Sequence, residues 1–251
     1  MDNNNQSMSK IEGRNPVIEA LKSKRAIDKI YVKKGEVQGS LKKIFALARA
    51  QKIIICEVEK SKLDQMSETK AHQGVIAIAP VKDYASVDDI LNLANEKQKP
   101  HFIIIADRIA DPHNLGAIIR TANSAGADGV IISKHDSATL TPVCEKASAG
   151  AAQHTPVARV TNLAQTIEKL KEKGIWVIGA DMYGENTIYT QDFSGNVAIV
   201  IGSEGEGISE LIKKKCDFLV KIPMYGDVTS LNASVAGALM IYEVVRARER
   251  K

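Results

Sequence analysis

Between Phe102 and Ile222 the chain repeats one pattern: a run of four or five mostly apolar residues, a polar turn, and in most intervals a stretch with helical spacing. The runs are Phe102–Ala106, Val130–Ser133, Val157–Val160, Trp176–Ala180, Val197–Ile201 and Phe218–Ile222. A continuous apolar run is what a strand needs when both its faces are covered, and strands that alternate with helices give a mostly parallel sheet with helices on both sides. The pattern closes with a long helix expected from Leu231 to Arg248. Small and apolar residues run along it, and Arg246, Arg248 and Arg250 stand at its end, where the helix dipole favours cations.

A smaller α/β unit precedes this one. Asn15-Pro16 opens a helical stretch with Val17, Ile18 and Leu21, Lys29–Val32 reads as a strand, and Leu41, Ile44, Phe45 and Ala48 share one helix face. Ile53–Val58 and Val75–Ala79 read as further strands. The expected organisation is a disordered Asn/Gln-rich tail over 1–7, a small domain over 8–80, a polar linker over 81–100 with a short helix at Val87–Ala94, and the main domain over 101–251.

Charge separates the same two parts. Residues 1–80 hold 15 Lys+Arg against 9 Asp+Glu, whereas residues 81–251 hold 19 against 21. A basic front segment suits a polyanion-binding module, and equally a soluble domain with a lysine-rich surface. No apolar stretch approaches the length of a membrane span, and the polar start is no signal peptide. Cys56, Cys144 and Cys216 form no CxxC pair, and His72, His101, His113, His135 and His154 show no ligand spacing. Reduced thiols in a cytoplasm, no membrane and no metal are therefore expected.

Ligands of parallel sheets sit beyond the carboxyl ends of the strands, and three of the loops found there are unusual. The first runs from Asp107 through Pro112, Asn114 and Gly116 to Arg120 and opens a helix. Alone, Arg120 reads more readily as a surface or salt-bridge arginine than as a catalytic one, and Asn114 reads also as a simple cap. In the second, Gly202-Ser203-Glu204-Gly205-Glu206-Gly207, three glycines allow a ligand close to the backbone, or simply form a tight turn. The spacing is neither GxGxxG nor a Walker motif, which disfavours nicotinamide dinucleotides and nucleoside triphosphates. The third passes from Ile222-Pro223-Met224 to Ser230-Leu231-Asn232, where Ser230 or Asn232 begins the final helix, and on to Ser234 and Ala236.

Together these loops resemble the three motifs of the SpoU (TrmH-like) family of the SPOUT RNA methyltransferase superfamily, in the family's order and with similar separations. Gly13 to Leu21 and His72-Gln73-Gly74-Val75 resemble the substrate-binding domain of its ribosomal RNA guanosine branch. Thr229 and Ala233 depart from the family, whose members often carry Ser and Val there.

The resemblance implies an α/β fold: a trefoil-knotted, parallel-sheet methyltransferase domain preceded by a small ribosomal-protein-like RNA-binding domain. It implies S-adenosyl-L-methionine held by Gly179, Ala180, Gly202, Glu204, Gly205, Ile222, Pro223, Met224, Leu231, Asn232 and Ala236. Glycines would admit the cofactor's backbone contacts, and Ile222, Met224 and Leu231 would form an apolar slot for adenine. Arg120, Asn114, Glu204, Ser230 and Asn232 are the implied catalytic set. Arg120 would act on the ribose and its phosphate; a guanidinium is permanently protonated, so an anchor for phosphate and oxyanion is more economical than a general base. The implied partners are RNA, contacted by Arg14, Lys22, Lys24, Arg25, Lys33 and Lys34, and a second copy of the chain. The implied reaction is 2′-O-methylation of a guanosine in large-subunit ribosomal RNA. Transfer RNA methylation and a non-catalytic ribosome-assembly role are the alternatives.

Overall fold

The computed structural model describes residues 9–35, 39–67, 69–80, 82–227 and 229–249. The expected disordered tail and Arg250 lie outside these residues. The chain divides into two compact units, Met1–Asp83 and Tyr84–Lys251.

The first unit contains β1 (Ser9–Glu12), α1 (Arg14–Lys22), β2 (Lys29–Lys33), α2 (Ser40–Ala50), β3 (Ile54–Val58), α3 (Lys60–Met66) and β4 (Val75–Ala79). Its sheet runs β1-β4-β2-β3; β4 is antiparallel to both neighbours and β2 is parallel to β3. Strand alternation divides the buried β4 between two cores. Val75 and Ala77 join Val17, Leu21, Leu41 and Ile44 beneath α1 and α2, while Ile76 and Ile78 meet Leu63 of α3 on the opposite face. The short strand β1 and helix α3 are too polar for the apolar pattern to reveal, and tertiary pairing makes them.

The second unit contains α4 (Val87–Glu96), β5 (Phe102–Ala106), α5 (Pro112–Ser124), β6 (Gly129–Ser133), α6 (Pro142–Ala147), α7 (Ala151–His154), β7 (Val157–Val160), α8 (Leu163–Glu172), β8 (Trp176–Ala180), β9 (Asn186–Thr187), β10 (Val197–Ile201), α9 (Glu210–Lys213), β11 (Phe218–Lys221) and α10 (Ala233–Glu249). Seven parallel strands follow the order β7-β6-β5-β10-β8-β11-β9. Ile103, Ile105, Val177 and Val200 face α4, α8 and α9. On the other side α10 packs against α5 and β10. A Cβ on Gly237 would stand 2.7 Å from Ile201 Cδ1 and 3.6 Å from Ile118 Cγ1, so this glycine sets how closely the last helix approaches the sheet.

Segment 81–100 is not a linker throughout. Ser86 and Asp89 form a reciprocal capping box at the start of α4, and Ile90, Leu91 and Ala94 are buried, the first two in the core of the second unit. The polar composition belongs to the helix's solvent side.

Candidate active site

The carboxyl ends of β8, β10 and β11 open onto a cavity of about 320 Å³. Its apolar wall includes Ile201, Ile222, Met224 and Leu231, and its polar side includes Asp181, Lys213 and Ser203. Lys213 Nζ lies 2.7 Å from Asp181 Oδ2 and 3.1 Å from Glu210 Oε1. The hydrogen bonds that the ammonium donates, first to Asp181 and then to Glu210, raise the Lys213 pKa above its ordinary value and keep it charged.

The glycine-rich loop is a miniature hairpin: Ser203 and Gly207 exchange two backbone hydrogen bonds of 3.0 Å. A Cβ on Gly202 would fall 2.1 Å from the Gly207 carbonyl carbon, so the turn closes only with glycine at that position. Gly205 and Gly207 take φ values of 80° and 67°. From the far side, Arg108 Nη1 donates to Glu206 Oε2 at 2.8 Å, with Arg108 itself at a φ of 56°. Asp107, buried behind it, accepts the Ser209 amide at 2.7 Å.

The three loops meet at one polar cluster. Asn114 sits on the first turn of α5, which Pro112 starts and Asp111 caps through the His113 amide. Asn114 Nδ2 donates to Glu204 Oε1 at 3.3 Å, and Asn232 Nδ2 donates both to Asn114 Oδ1 at 3.0 Å and to Glu204 Oε1. Asn232 Oδ1 in turn accepts the Ser234 amide at 2.9 Å and its hydroxyl at 2.6 Å. Asn232, rather than Ser230, therefore precedes and caps α10, and one side chain both starts the helix and ties the third loop to the other two.

The expected site residues separate into two groups. Ala180, Gly202, Gly205, Ile222, Met224, Ser230, Leu231 and Ala236 line the cavity; Gly179, Glu204, Pro223 and Asn232 are not among its lining residues. For Gly179 the reason is strand alternation: a Cβ there would meet Ile208, Cys216 and Leu219 on the packed side, while Ala180 faces the cavity. Pro223 lies beyond the end of β11, between the lining residues Ile222 and Met224. Glu204 is committed to the Asn114–Asn232 cluster. Arg120 is exposed on α5 and is not among the lining residues. Asp181, Ser203, Glu206 and Lys213 also line the cavity, although the sequence motifs do not single them out as ligand contacts. Asp181 carries a positional signal, as the first residue after β8, but nothing in the local sequence marks Lys213 on the short α9.

The basic residues expected to contact RNA do not form one patch. Arg14 and Lys33 line a common cleft of the first unit. Lys22 is paired with Glu19 at 2.6 Å, Lys34 stands 3.9 Å from Glu59, and Lys24 and Arg25 follow the end of α1 as exposed residues. Among the described residues no cluster of potential metal ligands occurs, and no helix is long and apolar enough to cross a membrane.

Comparison with known proteins assigns the two units separately. Residues 101–242 match the SpoU rRNA Methylase family. The chain belongs to that family. It is an RNA methyltransferase, and residues 10–85 match the family described as RNA 2′-O ribose methyltransferase substrate binding. YacO of Bacillus subtilis, a TrmH family relative, is 49% identical over 236 residues, covering 94% of each chain. The AdoMet-bound rRNA methyltransferase of Sinorhizobium meliloti is 25% identical with a TM-score of 0.59, over 94% of this chain and 86% of that one. AviRb of Streptomyces viridochromogenes, solved with AdoMet, shares the fold at 24% identity and a TM-score of 0.61, over 96% of this chain and 91% of that one. This SpoU family chain thus carries both units of the two-domain architecture.

Proposed function

We propose that this protein uses S-adenosylmethionine to methylate the 2′-hydroxyl of a guanosine in large-subunit ribosomal RNA, and that it does so in the cytoplasm as a homodimer. The cavity at the ends of β8, β10 and β11 carries the proposal, because its two sides fit the cofactor's two ends. Ile201, Ile222 and Leu231 offer apolar surface to an adenine, while Lys213 matches a carboxylate and Asp181 an ammonium. S-adenosylmethionine supplies an electrophilic methyl carbon on a sulfonium when bound.

The chain's own residues then have to align the ribose oxygen and manage its proton. The Asn114–Glu204–Asn232 cluster holds the loops around the cavity in one arrangement, and Ser230 at the cavity rim is placed to hydrogen-bond a bound group. Arg120 anchors the ribose phosphate and stabilises the developing oxyanion, since a guanidinium keeps its proton at every working pH.

The exposure of Arg120 on α5, away from the cavity lining of its own chain, supports a site completed by a second copy. Beside it, α10 presents the apolar residues Val235, Leu239 and Tyr242 to solvent at helical spacing, a surface suited to a self-complementary interface. The family's trefoil knot belongs to the same reading. It is supported by β10 lying between β5 and β8 while α10 packs back onto α5. The separate substrate-binding unit favours ribosomal over transfer RNA.

Calorimetry with S-adenosylmethionine tests the cavity, and mapping ribose methylation in ribosomal RNA from cells lacking the protein tests the substrate. Absence of cofactor binding would favour the assembly role instead. An unchanged ribosomal methylation map, with a guanosine methylation lost from transfer RNA, would overturn the substrate assignment. Mixed dimers of an Arg120→Ala chain and a chain disabled in the cavity should regain part of the activity; a fully active monomer in sedimentation-checked assays would refute the shared site.

A further inference from the structure

The cavity at the ends of β8, β10 and β11 has an aromatic residue at its mouth that neither the sequence motifs nor the polar cluster uses. Tyr183 is 82% exposed and yet lines the cavity. Only 4% of the chain is aromatic, and among the described residues the two most exposed aromatics are Tyr183 and Tyr225. They stand on the loops that follow β8 and β11, neighbouring strands that both end at this cavity. Tyr225 is the more exposed, at 96%, but it is not among the lining residues. A single exposed aromatic is ordinary on a protein surface, whereas one standing over a cavity on a fixed backbone is suited to receive a ligand.

The backbone that carries Tyr183 is fixed from three directions. The Asp181 amide donates to Val220 O at 2.9 Å, which extends the pairing with β11 one residue past the end of β8. Asp181 Oδ1 accepts the Tyr183 amide at 2.9 Å and Asp181 O accepts the Gly184 amide at 3.0 Å, closing a tight turn. A Cβ on Gly184 would stand 2.6 Å from the Val220 carbonyl carbon, so glycine lets this turn press against β11. Asp181 Oδ2 lies 2.7 Å from Lys213 Nζ, and the same carboxylate therefore ties the turn to α9. Met182, also exposed, lines the cavity beside Tyr183.

We propose that Tyr183 is the stacking platform for the nucleobase of the nucleotide being methylated. The inference rests on the reading of this cavity as the methyl-donor site and adds a residue that holds the substrate there. Its basis is covalent geometry. The 2′-oxygen and the base are carried by adjacent ribose carbons, so a 2′-oxygen brought to a methyl carbon in the cavity leaves the base against the surface around the mouth. Single RNA nucleotides are recognised with their bases unstacked, and an unstacked base regains its contacts on an aromatic face. A tyrosine offers that face while its hydroxyl stays in water. Stacking accepts every base, so Tyr183 supplies affinity and leaves the identity of the base to other contacts.

The test uses the full-length chain, S-adenosylmethionine and in vitro transcribed large-subunit ribosomal RNA in steady-state assays. Tyr183→Ala should raise the KM for RNA about tenfold, with kcat and the calorimetric Kd for S-adenosylmethionine within about twofold of the parent chain. Tyr183→Phe and Tyr183→Trp keep a ring and should keep the parental KM. Tyr189→Ala is the control, because Tyr189 is 58% exposed on the same segment but does not line the cavity, and it should behave as the parent. Melting temperatures should match throughout, since both tyrosines are exposed. The tryptophan of Tyr183→Trp also reports stacking directly, as RNA should quench its emission beyond the change seen with the parent's single Trp176. Parental KM in Tyr183→Ala, an equal loss in Tyr183→Phe, or emission that RNA leaves unchanged would each overturn the platform. Weaker S-adenosylmethionine binding by Tyr183→Ala would overturn it too, and would make the side chain a cover for the cofactor. A parent chain that methylates only transfer RNA overturns the ribosomal assignment alone, and the variants are then compared on that RNA. A parent chain that does not bind S-adenosylmethionine refutes the reading of the cavity, and the platform with it.

Discussion

Asn232 Nδ2 donates a hydrogen bond to Asn114 Oδ1 at 3.0 Å across 118 positions of sequence. The bond joins the start of α5 to the start of α10, and Glu204 of the glycine-rich loop accepts from both side chains. Three segments that are remote in the chain are held by the hydrogen-bonding of one asparagine pair and one carboxylate.

Asn114→Ala removes the buried member of this cluster. An unsatisfied polar group costs about 1–3 kcal/mol, and about 1.4 kcal/mol is a tenfold change in an equilibrium constant. The expected outcome is weaker S-adenosylmethionine binding by roughly tenfold with α5 intact, read by calorimetry and circular dichroism. Asn114→Asp should be worse, because it sets a second carboxylate beside Glu204. Parental affinity in both variants would mean that the cluster does not hold the loops.

Gly202→Ala and Gly205→Ala separate two roles of glycine in one hairpin. The added methyl at Gly202 has nowhere to go, whereas Gly205 has open space and a φ of 80°. Gly205→Ala should cost about 1–2 kcal/mol from its left-handed backbone alone. Gly202→Ala should open the hairpin and abolish cofactor binding. Thermal unfolding and calorimetry on the two variants check the order.

Lys213→Met leaves the half-buried Asp181 carboxylate without its cation. Removing one partner of such a half-buried hydrogen-bonded pair costs about 1–3 kcal/mol. The Asp181→Asn/Lys213→Met double variant should recover much of that stability but not cofactor affinity, as measured by denaturant titration and calorimetry. The raised Lys213 pKa also sets a pH window. The contribution of the pair is fully present below the ordinary lysine value of 10.5 and is lost only as pH rises through the higher folded value. Cofactor affinity should therefore show no titration from this group near neutral pH.

Asp64 behaves in the opposite sense. Its hydrogen bond from His72 holds the carboxyl below the ordinary value of 3.8, so the stability it contributes is present above that value and is lost as pH falls through the lower folded one. His72→Phe should reduce this acid-dependent loss in the first unit and disorder the turn ahead of β4. Hydrogen exchange of the Gly74 and Val75 amides at acidic and neutral pH would reveal both effects.

Much of the second unit was legible because its central strands are buried on both faces. Phe102–Ala106, Val157–Val160, Trp176–Ala180 and Val197–Ile201 are strands with the boundaries their apolar runs suggest. The last helix was legible too, though two of its arginines do more than complement a dipole. Arg246 pairs with Glu243, and Arg248 donates to the carbonyls of His101 and Gly195 while its guanidinium lies 5.2 Å from the Phe102 ring centroid. Less legible were β1, α3 and β9, whose short polar sequences fold through pairing or packing with distant segments.

The sequence by itself determined the parallel alternation, the three loops at the carboxyl ends of the strands, and the basic character of the front unit. Each of these follows from local periodicity, local turn chemistry or simple charge. Tertiary structure decided which residues of those loops face the cavity: Ala180 rather than Gly179, Met224 rather than Pro223, and Lys213 from a helix with no motif of its own. It also decided that Arg14 and Lys33 share a cleft with Lys60 and Lys70, apart from the other basic residues expected to work with them. Facing depends on strand alternation and on contacts between segments far apart in the chain, and such contacts exist only once the sheet has formed.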